Sequence, residues 1–141
     1  MTQQIYVLNG PNLNLLGTRE PEIYGTTTLD DIHQQMKAAA PGSNITFRQT
    51  NSEGELIDWV QEASKAAEIL ILNAGAYTHT SVALHDALRA CEALIYEVHI
   101  SNPAAREAFR TPNYVAPCAD ACIAGFGVRG YLMALDAALQ E

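Results

Sequence analysis

The residues Ile69-Leu70-Ile71-Leu72 are apolar without a break, and a polar, glycine-containing stretch from Asn73 to Ser81 follows at once. A strand that is apolar on both faces must be covered on both faces. That is the position of a central strand in a parallel sheet flanked by helices. Other short runs of β-forming residues surround it: Ile5 to Leu8, Ile45 to Thr50, Leu94 to Ile100 and Ala121 to Phe126. Segments with helical spacing lie between them. One runs from Leu29 to Ala40, with Leu29, Ile32 and Met36 as its inner stripe. A second follows Ser52 and is marked by Leu56, Ile57, Val60 and Ala63; a third spans Ser81 to Ala90 and a last one Val128 to Leu139. Asn102-Pro103 reads as a cap followed by proline at the first helical position, opening a short helix through Phe109.

The end signals agree with these boundaries. Thr28 or Thr27 can cap the first helix, Asp30 and Asp31 favour its positive end, and Pro41-Gly42 stops it. Ser52 followed by Glu55 is a capping-box pattern. Strands of about five residues alternating with helices of about ten make a βαβ rhythm. The expected fold is α/β: a flavodoxin-like, doubly wound, five-stranded parallel sheet with helices on both faces. Residues 1–141 are expected to form a single domain, since no linker divides them.

Charge narrows the function. Sixteen acidic residues against eight Lys and Arg give a formal net charge of -8, and the only lysines are Lys37 and Lys65. Nucleic acid and anionic membrane surfaces both demand clustered positive charge, so neither is expected as a partner. A small acidic substrate remains compatible, because charge local to a pocket outweighs the total. The low charged fraction, 17%, hints at surface covered by other subunits. Three cysteines, Cys91, Cys118 and Cys122, form no disulfide framework. The histidines His33, His79, His85 and His99 make no HExxH or similar tight set, so no metal site is expected. His33 falls on an acidic helix face expected to be exposed. No secretory signal or membrane span is legible, and the cytoplasm is the expected location.

Ligands of doubly wound sheets bind outside the carboxyl ends of the strands, and the polar residues crowd there. The loop from Asn9 to Gly25 is long for a βα connection. Its glycines match neither GxGxxG nor a Walker A pattern, which disfavours nucleotides. Leu13, Leu15, Leu16 and Ile23 should anchor it, leaving Arg19 and Tyr24 to cap or enter a cleft. A tyrosine acting as a base needs a lowered pKa, which a nearby arginine can supply; half-buried packing is the plainer role. After the third strand, Asn73 and His79 can reach a hydroxylated ligand, and a helix starting near Thr80 or Ser81 offers free N–H groups to an anion. In the fourth strand, alternation places Ile95, Glu97 and His99 on one face. A carboxylate beside an imidazole fixes its tautomer and raises its proton affinity. Arg106 and Arg110, four apart on the short helix, are expected to face one side, as solvent-exposed charges or as a positive rim.

The stretches LNGPNLNLLGTREPEIYG, QTNSEGELIDW, ILNAGAYTHTSVALHDAL and EVHISN, with the later GFGVRGY, are similar, in order and over nearly the whole chain, to the signature segments of the type II 3-dehydroquinate dehydratases. The resemblance implies a flavodoxin-like subunit, a trimer of which four pack into a homododecamer (a tetramer of trimers), and 3-dehydroquinate as substrate, with neither cofactor nor metal. It implies a reversible anti elimination of water through an enolate to 3-dehydroshikimate, in the shikimate pathway of aromatic amino acid biosynthesis. By that resemblance Tyr24 is the base and Arg19 the mobile-loop arginine that favours the tyrosinate. Asn12 holds the water at the enolate oxygen, His99 is the general acid, and Glu97 orients it. Asn73, with the backbone near Ile100 and Ser101, corresponds to substrate carboxylate and hydroxyl contacts. His79 and Arg110 grip the ring hydroxyls, and Asp86 is lent by a neighbouring subunit. The chain departs from the family at Pro103, at Ala105 and at Thr111-Pro112-Asn113. Two other readings share these residues: the same reaction in quinate breakdown, and a flavodoxin-like metabolite-binding module without catalysis.

Overall fold

The computed structural model describes residues 2–18 and 21–141, with Ile23 and Tyr24 described by their backbone alone. Among the described residues, β1 (Gln4–Asn9), β2 (Asn44–Gln49), β3 (Ile69–Asn73), β4 (Leu94–His99) and β5 (Ala121–Ala124) form one parallel sheet in the order β2-β1-β3-β4-β5. This is the flavodoxin-like order, and it reverses between β1 and β3. The helices are a short α1 (Pro21–Tyr24), α2 (Leu29–Ala39), α3 (Glu53–Ala66), α4 (Val82–Arg89) and α5 (Arg129–Ala138). None of them is long and apolar enough to cross a membrane.

Strand alternation divides the core into two layers. Ile5, Val7, Ile69, Ile71 and Val98 pack on one side with Ile32 and Met36 of α2 and Tyr131, Ala134 and Leu135 of α5. Tyr6, Leu8, Leu70, Leu72 and Ile95 pack on the other with Leu56 and Val60 of α3 and Leu84 and Leu88 of α4. Ile69 to Leu72 are completely buried, as a central strand of this sheet must be.

Several local expectations change in detail. Thr28 and Asp31 form a reciprocal capping box at α2. At α3 only half the box forms: Ser52 Oγ accepts from Glu55 N at 3.2 Å, but the Glu55 carboxylate takes the Thr50 hydroxyl instead. His33 is not a solvated residue; it is half-buried and stacks on Phe47 with ring centroids 4.7 Å apart. The helix expected from Pro103 through Phe109 is two separate 3-10 turns, Pro103–Ala105 and Ala108–Arg110. Asn102 does cap the first, its Oδ1 accepting from Ala104 N at 3.2 Å, but Arg106 is extended and ends it. One continuous helix would stack two like charges four residues apart. The break sets both arginines around the Glu107 carboxylate instead, with Arg110 Nε at 2.6 Å and Arg106 Nε at 3.7 Å.

The carboxyl ends of β1 and β3 are clamped by a residue far away in sequence. Tyr131 of α5 is fully buried; its hydroxyl donates to Asn9 Oδ1 at 2.6 Å and accepts from Asn73 Nδ2 at 2.9 Å. Burial holds the phenol protonated by raising its pKa well above the ordinary tyrosine value. Beyond Asn9 the exit of β1 crosses the exit of β3 so closely that a Cβ on Gly10 would lie 2.3 Å from the Ala74 carbonyl oxygen. Tyr131→Phe keeps the packing but removes the phenol that donates to the buried Asn9 Oδ1. We expect it to lower unfolding stability by about 1–3 kcal/mol, the usual cost of orphaning a buried polar atom. Urea denaturation of the two proteins with unchanged m value measures this, and an unshifted midpoint would show that the clamp is dispensable.

Candidate active site

One cleft opens at the carboxyl ends of β1, β3 and β4, where the strand order reverses. Asn12, Asn73, His79, His99, Ile100, Ser101 and Arg110 all line it, and so does Arg106. Eight of the residues singled out from sequence are therefore brought together. Glu97 lies behind His99, buried to 1% exposure. Asp86 is exposed on α4 and does not line this cleft. Arg19 lies outside the described residues, and so do the side chains of Tyr24 and Ile23.

Asn12 stands at the mouth in the left-handed region, with φ 69°. Asparagine tolerates that conformation better than most residues. The loop is braced from the second signature stretch: Asn12 N donates to Asn51 Oδ1 at 2.9 Å, and Gln49 Nε2 donates to Gly10 O at 3.1 Å. Tyr77 Oη donates in turn to Asn51 O at 2.6 Å. Of the expected loop anchors, Leu16 is buried and Leu13 packs on the core, whereas Leu15 is 42% exposed. At the centre, Asn73 Oδ1 accepts from Gly75 N at 3.2 Å, which orients its amide. One N–H of Nδ2 goes to Tyr131, and the second has no partner among the described residues and is open to a ligand.

His99 and Glu97 form the buried pair that their alternation in β4 predicts, with a hydrogen bond between His99 Nε2 and Glu97 Oε2. That leaves Nδ1 of His99 as the ring's other proton-carrying position. The His79 ring lies 6.5 Å away, its Nδ1 donating to Pro112 O at 2.8 Å. Burial by itself would raise the Glu97 carboxyl, but hydrogen bonds from His99 and then Asn113 outweigh it and hold the group below the ordinary carboxylate range. Asn113 is the residue that sequence reading missed. Its Oδ1 accepts from Val115 N at 2.9 Å and Ala116 N at 2.8 Å, so its Nδ2 must point at Glu97 Oε2, 2.9 Å away. The position was visible only as a departure from the family pattern; its aim at Glu97 comes from a turn that no spacing rule reveals. Cys122 also joins this group. The β4–β5 register pairs it with Glu97, and its Sγ lies within 4.8 Å of the Glu97 and His99 donor atoms.

The arrangement can do acid–base chemistry on an anionic ligand. A carboxylate-backed imidazole faces a cleft whose rim carries Arg106 and Arg110, and asparagine amides reach in from two strand ends. The family model described as Dehydroquinase class II matches residues 3–139, and the chain belongs to that family. A 3-dehydroquinate dehydratase of Hyphomonas neptunium is 64% identical over 99% of this chain and 95% of its own length. One from Phenylobacterium zucineum is 55% identical over 98% and 97%. Among solved structures, the type II dehydroquinase of Propionibacterium acnes superposes with a TM-score of 0.95 at 42% identity, covering 100% of this chain and 99% of its own. That of Butyrivibrio crossotus gives 0.90 at 40% identity, covering 96% and 97%.

Asn113→Asp tests the hold on Glu97. It keeps the Oδ1 that accepts from Val115 and Ala116 but turns the donor into a second carboxylate. In the wild type the depressed Glu97 pKa contributes stability above its unfolded value of about 4.3 and loses it as pH falls through the folded value. In the variant two facing carboxylates raise one folded pKa, which destabilises at neutral pH and is relieved when acid protonates it. Urea midpoints should therefore show a deficit of about 1–3 kcal/mol at neutral pH that narrows towards pH 4. A deficit that is constant with pH would mean that Asn113 acts through its turn alone.

Proposed function

We propose that the protein is a 3-dehydroquinate dehydratase, a carbon–oxygen lyase of the type II class, serving the shikimate pathway of aromatic amino acid biosynthesis. The observation that carries this reading is the Glu97–His99 pair facing a cleft rimmed by Arg106 and Arg110. It occurs in a chain 64% identical to a 3-dehydroquinate dehydratase over almost its full length.

The chemistry requires a base and an acid on opposite sides of the ring. Tyr24, as the phenolate, removes the C2 proton, and the C–H electron pair moves into the adjacent carbonyl to give an enolate. Arg19 closes over the site and favours the tyrosinate. A water held by Asn12 donates to the enolate oxygen where negative charge develops. As the enolate collapses, the C1–O bond breaks, and His99 protonates the departing hydroxyl so that it leaves as water. Glu97 stabilises the imidazolium that this step needs, and Asn113 stabilises Glu97. The product is a conjugated enone; the base's proton returns to solvent and His99 regains one. Asn73, His79, Arg110 and the backbone at Ile100 and Ser101 hold the carboxylate and hydroxyls. The steps call only on groups of the protein and a water, so no cofactor is assigned.

The 141 residues act as one catalytic domain in the cytoplasm, assembled as a tetramer of trimers. Two features support assembly. Asp86 is exposed and away from its own cleft, as a residue lent to a neighbour's site would be. Phe109 and Phe126 are 68% and 56% exposed, more than such side chains usually are in an isolated subunit. Light scattering coupled to size exclusion should give a mass of twelve chains; a fully active monomer would refute the lent Asp86.

The reaction is followed by absorbance of the enone when purified protein meets 3-dehydroquinate. Tyr24→Phe should abolish both dehydration and exchange of the C2 hydrogen with deuterated solvent, while its melting curve stays that of the parent. His99→Ala should lose dehydration more severely than exchange. Folded Tyr24→Phe that still exchanges at the parental rate would remove Tyr24 as the base, and a wild type without enone formation would overturn the function.

A further inference from the structure

We infer that Glu97, His99 and Cys122 form a capture site for a thiophilic divalent cation, zinc being the fitting ion, whose occupation silences the cleft by taking His99 out of proton transfer. The consequence for activity rests on the dehydratase reading above; the capture itself does not.

The three residues share one face of adjacent strands for a topological reason. Glu97 and His99 are two apart in β4, and the parallel register sets Cys122 of β5 beside Glu97. Their carboxylate, imidazole and thiol ligand atoms lie within 4.8 Å of one another. A tetrahedral zinc with oxygen, nitrogen and sulfur ligands sets those atoms roughly 3.3–3.7 Å apart. Thiolate, imidazole and carboxylate together suit zinc better than calcium or magnesium, which prefer all-oxygen sets. A second observation points the same way. Glu97 Oε1 is buried and makes no hydrogen bond of good geometry among the described residues, whereas Oε2 is held by His99 and Asn113; the Cys122 thiol is near enough to the carboxylate to act on it as a weak donor, which a metal-bound thiolate would no longer be. Oε1 is thus a charged oxygen with an open coordination position, and Asn113 would remain behind it to fix the carboxylate, as partners behind metal ligands do. Cys122 is exposed, which gives an ion a route from the sheet edge. Partial burial and then the Glu97 carboxylate push its thiol up to about 11, so in the free protein it is protonated.

Binding is coordination without redox change. The sulfur, the His99 Nε2 lone pair and a Glu97 oxygen bond to the ion; the thiol proton leaves to solvent, and the neutral imidazole carries its own proton on Nδ1. The Glu97–His99 hydrogen bond opens by roughly an ångström to admit the metal. The fourth position faces water. An imidazole committed to zinc through Nε2 no longer has Glu97 behind it and cannot become the imidazolium that protonates a leaving hydroxyl.

Two measurements test this on the full protein. In the first, Zn2+ is titrated against dehydration rate, each variant being compared with its own metal-free rate. Wild type should be inhibited and restored by chelator, and Cys122→Ala should need at least about tenfold more zinc, since even a residue behind the ligands usually costs that much. Cys118→Ala, which removes the other thiol beside an imidazole (Sγ 3.5 Å from His85 Nδ1), should be inhibited like wild type. In the second, Co2+ is added without substrate: wild type and Cys118→Ala should develop a thiolate-to-cobalt charge-transfer band that Cys122→Ala lacks. Equal zinc sensitivity of Cys122→Ala, or a cobalt band that is absent from wild type or survives in Cys122→Ala, overturns the inference. Because the cobalt band needs no turnover, it stands or falls separately from the assigned reaction.

Discussion

Three side chains meet in the dry centre of the molecule, and the cleft depends on them. Tyr131 reaches from the last helix to bind Asn9 and Asn73, the final residues of β1 and β3. These are the strands between which the order reverses, so their ends would otherwise diverge around an unfilled polar gap. A phenol held protonated by burial can donate one way and accept the other, which matches one asparagine oxygen and one asparagine N–H. The amide of Asn73 is thereby fixed by Tyr131 on one side and Gly75 on the other, and it presents its remaining N–H to the cleft. A site residue is positioned here by core packing 58 positions away in the chain.

A second constraint is the buried charge of Glu97. Taking a carboxylate out of water is costly unless it is paired and hydrogen-bonded. His99 and Asn113 supply that on one oxygen, and the other has no such partner among the described residues. The same pairing that stabilises the charge readies the imidazole for proton transfer, so folding and chemistry ask for the same geometry. Asn113 can serve because its own oxygen is spent on two backbone N–H groups of a turn, leaving its amide nitrogen a single direction. The positive rim arises likewise from local electrostatics. Splitting the expected helix into two turns lets Arg106 and Arg110 share Glu107 and still border the cleft.

Much of this was legible from residue order. The unbroken run at Ile69–Leu72 implied a central strand covered twice, and the alternation of Glu97 with His99 implied their contact, because period-two geometry is local. Thr28, Ser52 and Asn102 were recognisable as caps, since a cap and its N–H lie two or three residues apart. The cleft residues lay at strand ends or in the segments just after them in the reading, and they lie there in the structure. The reading failed where a local signal had two possible partners: Glu55 chose Thr50 over the Ser52 backbone, and His33 chose Phe47 over water.

By itself, then, the sequence determined the element types, the two-sided burial of the sheet and which strand ends carry chemistry, because hydrophobic period and capping act within a few residues. Only the tertiary structure decided that Tyr131 clamps Asn9 to Asn73, that Asn51 and Gln49 brace the first loop, that Asn113 aims at Glu97 and that Cys122 stands beside both Glu97 and His99. Each of these depends on strand order and register, which bring together residues from 16 to 122 positions apart. Such distances are set by which strands pair and how the helices pack between them, a choice made by burial of the whole chain at once and by no stretch of it alone.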